Sequence, residues 1–435
     1  MTVSTTSGRA AARRRLGVCL GAVAALSLVL AACGGGADEP ESGGGGPVTL
    51  TVTTWNLAKT PEFTALFDAF EKANPGITVK PVDILADDYP QKVTTMLAGG
   101  DKSDVVTMKT LTDYARHSSR GQLLDITSVV KSADTNGLAG LDTYDVGGAY
   151  YAMPYRQDFW LLYYNKKVFD DAGADYPDGL TWDQYAALAK RLTKGEGTKK
   201  VYGTYHHTWR SVFQAIAAAQ TGGDQLSGNY GFMTDQYTMG LDLQKSGAAM
   251  DYGTATSQQA DYRSTFESGA TAMMPMGTWY ASGILESRKK GTTDVEWGLA
   301  PMPQRPGATG VTTFGAPTAF AVNKRSEHAE AAKKFVAFAA SKAGAEVVAK
   351  VGVAPALQTP EIIDAYFSVQ GMPADALSKK AFAPDKVVLE MPVDEKSADV
   401  DTILNEEHQL IMVGEKSVAD GIKTMNDRVR SEVLN

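Results

Sequence analysis

Cysteine is nearly absent from this chain. Of 435 residues only Cys19 and Cys33 are cysteines, and both lie near the N-terminus. No disulfide can form beyond residue 33, so a folded body here must rest on a large apolar core. A basic excess is also missing: 42 Lys and Arg stand against 50 Asp and Glu, a formal net charge of −8. Such an acidic balance repels nucleic acid and anionic lipid, and leaves a polyanionic ligand only where a local basic pocket exists. Long apolar runs are scarce. Residues 16–30 carry no charge, but a bilayer span needs ~18 or more residues, and the stretch Ala331 to Ala340 is interrupted by Lys333 and Lys334. Metal signatures are missing as well. There is no HExxH and no EF-hand loop; DTNG at 134–137 lacks the later acidic ligands. Of the histidines 117, 206, 207, 328 and 408 only His206 and His207 are close, and adjacent side chains on a strand point apart. GxSxG, P-loop and GxGxxG motifs are not found.

What is present begins at the N-terminus. Arg9, Arg13, Arg14 and Arg15 precede the apolar run, and Ala31 and Ala32 lead into Cys33. The segment resembles a bacterial lipoprotein signal, in which the residue after the cut is a cysteine that receives lipid. That resemblance implies a signal peptide over 1–32, lipidation of Cys33, and an extracytoplasmic chain anchored on the outer face of the cell membrane. Removing the leader takes four arginines and no acid, leaving 38 basic against 50 acidic residues in a mature chain of 403. Residues 34–47, GGGADEPESGGGGP, cannot build a core, so 33–47 reads as anchor and flexible tether.

Periodic patterns start at Val48. Val48, Leu50 and Val52 alternate with threonines, which predicts a strand. Thr60 as cap and Pro61 as first residue predict a helix with Phe63, Leu66, Phe67 and Phe70 on one face. Residues 77–84 read as a strand, 89–97 as a helix and 104–108 as a short strand. This β-α-β-α-β order predicts a mostly parallel, three-layer α/β lobe. Further on, 159–164 predicts a buried strand, and Thr181-Trp182-Asp183-Gln184 a capping box opening a helix to Leu192. Residues 212–219 and 330–340 read as helices, and Val418, Ile422, Met425, Val429 and Val433 form a C-terminal stripe. No tandem repeat is found. Tyr163-Tyr164, inside an apolar strand, reads as core.

Six blocks in order carry a family likeness. They are Trp55 through Gly76; YPQKVTTMLAGGDKSDVV (89–106); AMPY, LLYYNKKVFDDAG and TWDQYAALAKRL within 148–192; FESGATAMMPMGTW (266–279); WGLAPMPQRPG (297–307); and FGAPTAFAVNKRSEHAEAAKKFVAFAAS (314–341). Together they resemble the extracellular solute-binding proteins of ATP-driven sugar importers, the maltose-binding-protein-like family. Beyond about residue 355 the likeness is weak. It implies a two-lobe periplasmic-binding-protein-like α/β fold of type II, with a ligand cleft between lobes joined by hinge crossings near Met153-Pro154 and near 311–315. Lobe one would hold 48–152 with 312–358, and lobe two 153–311 with 359–435. It further implies a monomeric binding protein without chemistry or cofactor of its own. Such a protein would capture a neutral mono- or oligosaccharide and deliver it to ABC permease subunits. The residues leave two alternatives open: a non-sugar solute such as a polyol, glycerophosphodiester, amino-acid derivative or polyamine, and an exported glycoside hydrolase, for which two suitably spaced carboxylates suffice.

A sugar presents hydroxyl pairs and apolar C–H faces, so its site needs aromatic platforms with amides, carboxylates or guanidinium groups. The family likeness points to Trp279, at the end of the strand-like MMPMGTW run after Gly277, and to Trp209 in YHHTWR. It also points to Asp158 ahead of FWLLYYN, either as a ligand or in an interlobe salt bridge with Arg156. Ligands of open α/β sheets bind outside strand carboxyl ends, which brings in Trp55, Asn56 and Lys59 after the first strand, and Lys109 with Thr110 after DVVTM. Tyr89 and Phe314 complete the candidates, and Gly315 suits a close backbone approach at the second crossing. Trp182 and Trp297 read as structural. Arg156 and Arg210 are the cations that a phosphate-bearing ligand would require.

Overall fold

The computed structural model describes residues 46–435; the expected signal peptide, Cys33 and nearly all of the tether lie outside the described residues. Among the described residues eleven strands run in chain order: β1 (Val48–Trp55), β2 (Ile77–Ile84), β3 (Val105–Met108), β4 (Asp145–Val146), β5 (Ala149–Tyr150), β6 (Ala152–Asn165), β7 (Tyr202–Thr204), β8 (Thr271–Gly277), β9 (Trp297–Ala300), β10 (Thr312–Val322) and β11 (Lys386–Leu389). The alternation at Val48, Leu50 and Val52 builds β1, which pairs in parallel with β2 and β3. Helix Pro61–Ala73 covers it, burying Phe63, Leu66, Phe67 and Phe70, and Phe67 and Phe70 meet Phe335 of helix Ala329–Ala340. Thr60 does not cap that helix. Its hydroxyl donates instead to the carbonyls of Trp55 (2.8 Å) and Asn56 (3.0 Å), tightening the loop after β1. The Thr181 capping box forms as its spacing predicts.

Strand β6 is the spine of the molecule. All fourteen of its residues are buried. Its first half pairs antiparallel with β10, Ala152 opposite Ala321 through Phe159 opposite Gly315. Its second half pairs with β8 from Trp160 and with β9 from Leu162. The pattern predicts only 159–164 because the earlier half buries Arg156, Gln157 and Asp158 beside its apolar side chains, which breaks the apolar run. On its return, β10 pairs with β11 over Thr312–Gly315 and with β3 over Ala319–Val322, with a register irregularity between Thr318 and Ala319. The two long strands thus form the crossing between two sheets, a two-lobe α/β fold. The partner change in β6 falls at Phe159–Trp160, downstream of Met153-Pro154, which still pair with Phe320 and Ala319. Gly315 lets the crossing strands touch: a Cβ there would stand 2.1 Å from the Asp158 carbonyl oxygen.

The C-terminal tail packs on several elements. Helix Pro360–Phe367 lies on helix Lys342–Lys350, helix Ala376–Ala381 on β9, and helix Ser397–Met412 on both helix Leu111–Ser119 and the turn Arg210–Val212.

Candidate functional site

Strand β8 ends at Gly277, and two residues later Trp279 opens helix Tyr280–Lys289. Trp279 therefore sits at a strand-to-helix turn rather than on the strand. Its ring centroid lies 5.6 Å from that of Trp160 and 6.2 Å from that of Trp209. Trp209 stands 4.4 Å from His207 and 6.0 Å from Tyr262. Exposure grades across this cluster. Trp209 is 38 % exposed and Trp160 only 1 %, while Trp279, Tyr262 and His207 are half-buried. The Trp160 indole N–H is buried without a hydrogen-bond partner among the described residues, a group that a structure rarely leaves unmet. Burial holds the His207 imidazole down at about 4, although Asp261 and Asp87 pull the other way. A neutral imidazole presents one donor and one acceptor. Asp87 follows β2, so its field at His207 spans the two sheets.

Gly277 is what lets the Trp279 ring lie where it does, since a Cβ there would come within 1.8 Å of the indole. Gly277→Ala is expected to swing the ring aside, lowering ligand affinity about tenfold or more while the protein stays folded; a binding titration beside a melting curve checks both halves.

On the other side of the crossing, Trp55 is buried edge-on against Phe63 (5.0 Å) and Tyr89 (5.2 Å). The charges of Lys109 and Arg156 each sit 5.7 Å from its ring. Asn56 takes a left-handed conformation, φ 44° and ψ 47°, uncommon for a non-glycine residue and concentrated at functional turns. Its side-chain oxygen accepts from the Ala86 N–H at 3.1 Å. Lys109 donates to the Ala86 carbonyl, and burial lowers its pKa. Lys59 is exposed on the short turn Leu57–Lys59.

Besides Trp55, which is only 5 % exposed, two further candidates are removed by burial. Tyr89 is 1 % exposed, its hydroxyl engaged with Thr53 (2.6 Å) and the Thr107 carbonyl (2.8 Å). Phe314 is fully buried, stacked on Trp160 at 4.9 Å, and so supports the aromatic cluster from behind. Asp158 and Arg156 form the interlobe ionic network. Arg156 binds Asp158 and Glu62, each at 2.7 Å, and Thr278 donates to Asp158 at 2.9 Å. The chain of contacts runs from the first turn of helix Pro61–Ala73, through β6, to the residue beside Trp279. Burial pushes the Glu62 and Asp158 carboxyls up and the Arg156 charge draws them back. Arg210 is likewise spent, on Asp401, Gln214 (3.0 Å) and Gln225 (3.2 Å). Trp182 and Trp297 are buried, the former donating to Gln220 at 2.8 Å.

Sequence reasoning missed Tyr262, His207, Thr278 and Glu62. Thr278 neighbours Trp279, and Glu62 sits in a helix first turn, where carboxylates are common; neither position signals the network that joins them. Tyr262 and His207 carry no local signal.

Residues 54–346 match the family model of a bacterial extracellular solute-binding protein. A sugar transporter from Rhizobium etli, solved in an open conformation, superimposes with a TM-score of 0.75 at 36% identity, covering 88% of this chain and 99% of that one. A substrate-binding protein from Listeria monocytogenes in complex with cycloalternan gives a TM-score of 0.77 at 23% identity, covering 88% and 98%. The multiple sugar-binding protein of Streptococcus mutans is 22% identical over 95% of this chain and 98% of its own. A putative ABC transporter periplasmic-binding protein of Escherichia coli is 27% identical, and the match spans 64% of that protein's length and 63% of this one.

Proposed function

The chain belongs to the bacterial extracellular solute-binding protein family, and from that premise we propose that it is the substrate-binding component of an ABC importer, capturing a neutral carbohydrate between its lobes. The family locates it outside the cytoplasm. The observation that carries the ligand class is the aromatic cluster: exposed Trp209 and half-buried Trp279 beside Tyr262 and neutral His207, with Trp160 behind them. Aromatic faces take the C–H surface of a sugar ring, and neutral donors and acceptors take its hydroxyls. Asn56, Lys59 and Lys109 stand on the other side of the crossing, with Trp55 buried beneath Lys109. Relatives and solved neighbours named for sugars support the same class. A phosphate-bearing solute finds less support, since Arg156 and Arg210 are both committed to carboxylates.

The lobes, 48–152 with 312–358 and 153–311 with 359–435, close about the β6–β10 crossing by hinge motion, and the permease receives the closed form. Lipid at Cys33 and the Gly-rich tether hold the receptor at the membrane. The protein binds its solute without converting it. Titrating a panel of neutral sugars while following tryptophan fluorescence tests the site. At least one sugar is expected to change the emission saturably. No response to any sugar, with a response to a charged solute, would overturn the reading.

A further inference from the structure

We infer that the cleft continues past Trp209 into a second subsite built on the C-terminal helix Ser397–Met412, so that the ligand is an oligosaccharide rather than a lone sugar ring; this rests on the carbohydrate reading above. Beyond the aromatic cluster lies a cavity of about 560 Å³, within the ~300–1,000 Å³ common for ligand sites. Its walls include Thr208, Trp209 and Tyr252 from one side and Asn405 and Gln409 from the helix. Trp209 belongs to both places: its ring stands among Trp160, Trp279 and Tyr262, and it also walls this cavity. A ring bound in the cleft against Trp209 would therefore have its glycosidic neighbour directed into it.

The chemistry of the walls is that of a polyhydroxylated neutral molecule. No Lys, Arg or His lines the cavity, and its one carboxylate is Glu415. Asn405 and Gln409 are exposed and four residues apart, so both amides lie on one face of the helix. Nearby Gln214 and Gln225 have their amides tied to Tyr237, the Leu404 carbonyl and the Glu390 carbonyl; those of Asn405 and Gln409 donate to no residue among those described. An amide offers a donor and an acceptor together, the pairing that vicinal hydroxyls require.

Titration calorimetry on the full protein tests this, with mono-, di- and trisaccharides of the gluco, manno, galacto and xylo series as probes. The best trisaccharide is expected to bind at least about tenfold more tightly than its monosaccharide. The double variant Asn405→Ala, Gln409→Ala is expected to erase that advantage, leaving monosaccharide affinity and the melting temperature of the ligand-free protein unchanged. Equal affinity for one and three rings would overturn the inference. So would a length advantage that survives the double variant, or a loss that falls equally on all lengths. Failure of every sugar of every length to bind would overturn the carbohydrate reading itself, and this inference with it.

Discussion

Trp279→Ala is expected to weaken ligand binding by about 30- to 150-fold while costing the ligand-free protein only about 1–2 kcal/mol. A central aromatic anchor in a binding site contributes about 2–3 kcal/mol, and each 1.4 kcal/mol is tenfold in Kd. The stability cost is smaller because Trp279 is half-buried at the start of a helix rather than in a core layer. What is lost is an edge contact with Trp160 at 5.6 Å and a tilted contact with Trp209 at 6.2 Å, with aromatic pairs contributing about 0.5–1.5 kcal/mol. Calorimetric binding and urea unfolding of one preparation separate the two effects. A stability loss above about 4 kcal/mol would mark Trp279 as core; unchanged affinity would remove it from the site.

Arg156→Met should produce the largest loss of stability, about 3–5 kcal/mol at neutral pH. The side chain links Glu62 and Asp158, both at most 4 % exposed, and removing one partner of a buried ion pair leaves charge unpaired in the interior. Its pH dependence is diagnostic. Burial already raises both carboxyl pKa values, and Arg156 opposes that rise. Without it they rise further. The folded variant then holds protons that the unfolded chain, titrating near ~4, releases. Such protons favour the folded state increasingly as pH falls toward that value. The deficit relative to the unaltered protein should therefore shrink from pH 7.5 to pH 5, and urea denaturation at both pH values measures it. A deficit independent of pH would mean that packing, not charge, is what Arg156 supplies. Because Asp158 also accepts from Thr278, beside Trp279, ligand affinity should fall along with stability.

The first lobe was legible because its signals are local. Period two marks β1 and β2, and a period near 3.6 marks helix Pro61–Ala73. The first half of β6 was not, because its buried residues include Arg156, Gln157 and Asp158, and only a tertiary network makes their burial tolerable. The same network engages Asp158, which the sequence offers either as a ligand or as a bridge to Arg156. Trp279 was singled out from the sequence, but its place at a helix start was hidden by the apolar run before it. Tyr262 and His207 reach the cluster only through folding. Asn405 and Gln409 look like an ordinary solvated helix face, and they lie beyond residue 346, where the family match ends.

Binding of a neutral sugar is the claim on which the rest depends, and a thermal-shift panel tests it most directly. Neutral mono- and oligosaccharides would be compared with polyols, glycerophosphodiesters, amino-acid derivatives and polyamines. A ligand at ~100 times its Kd adds ~2.7 kcal/mol to stability, a readable rise in Tm. At least one neutral sugar should raise the Tm in this way, and Trp279→Ala should cut the rise at the same sugar concentration to about a third or less. A rise with a charged solute alone, or none with any sugar, would contradict the assignment.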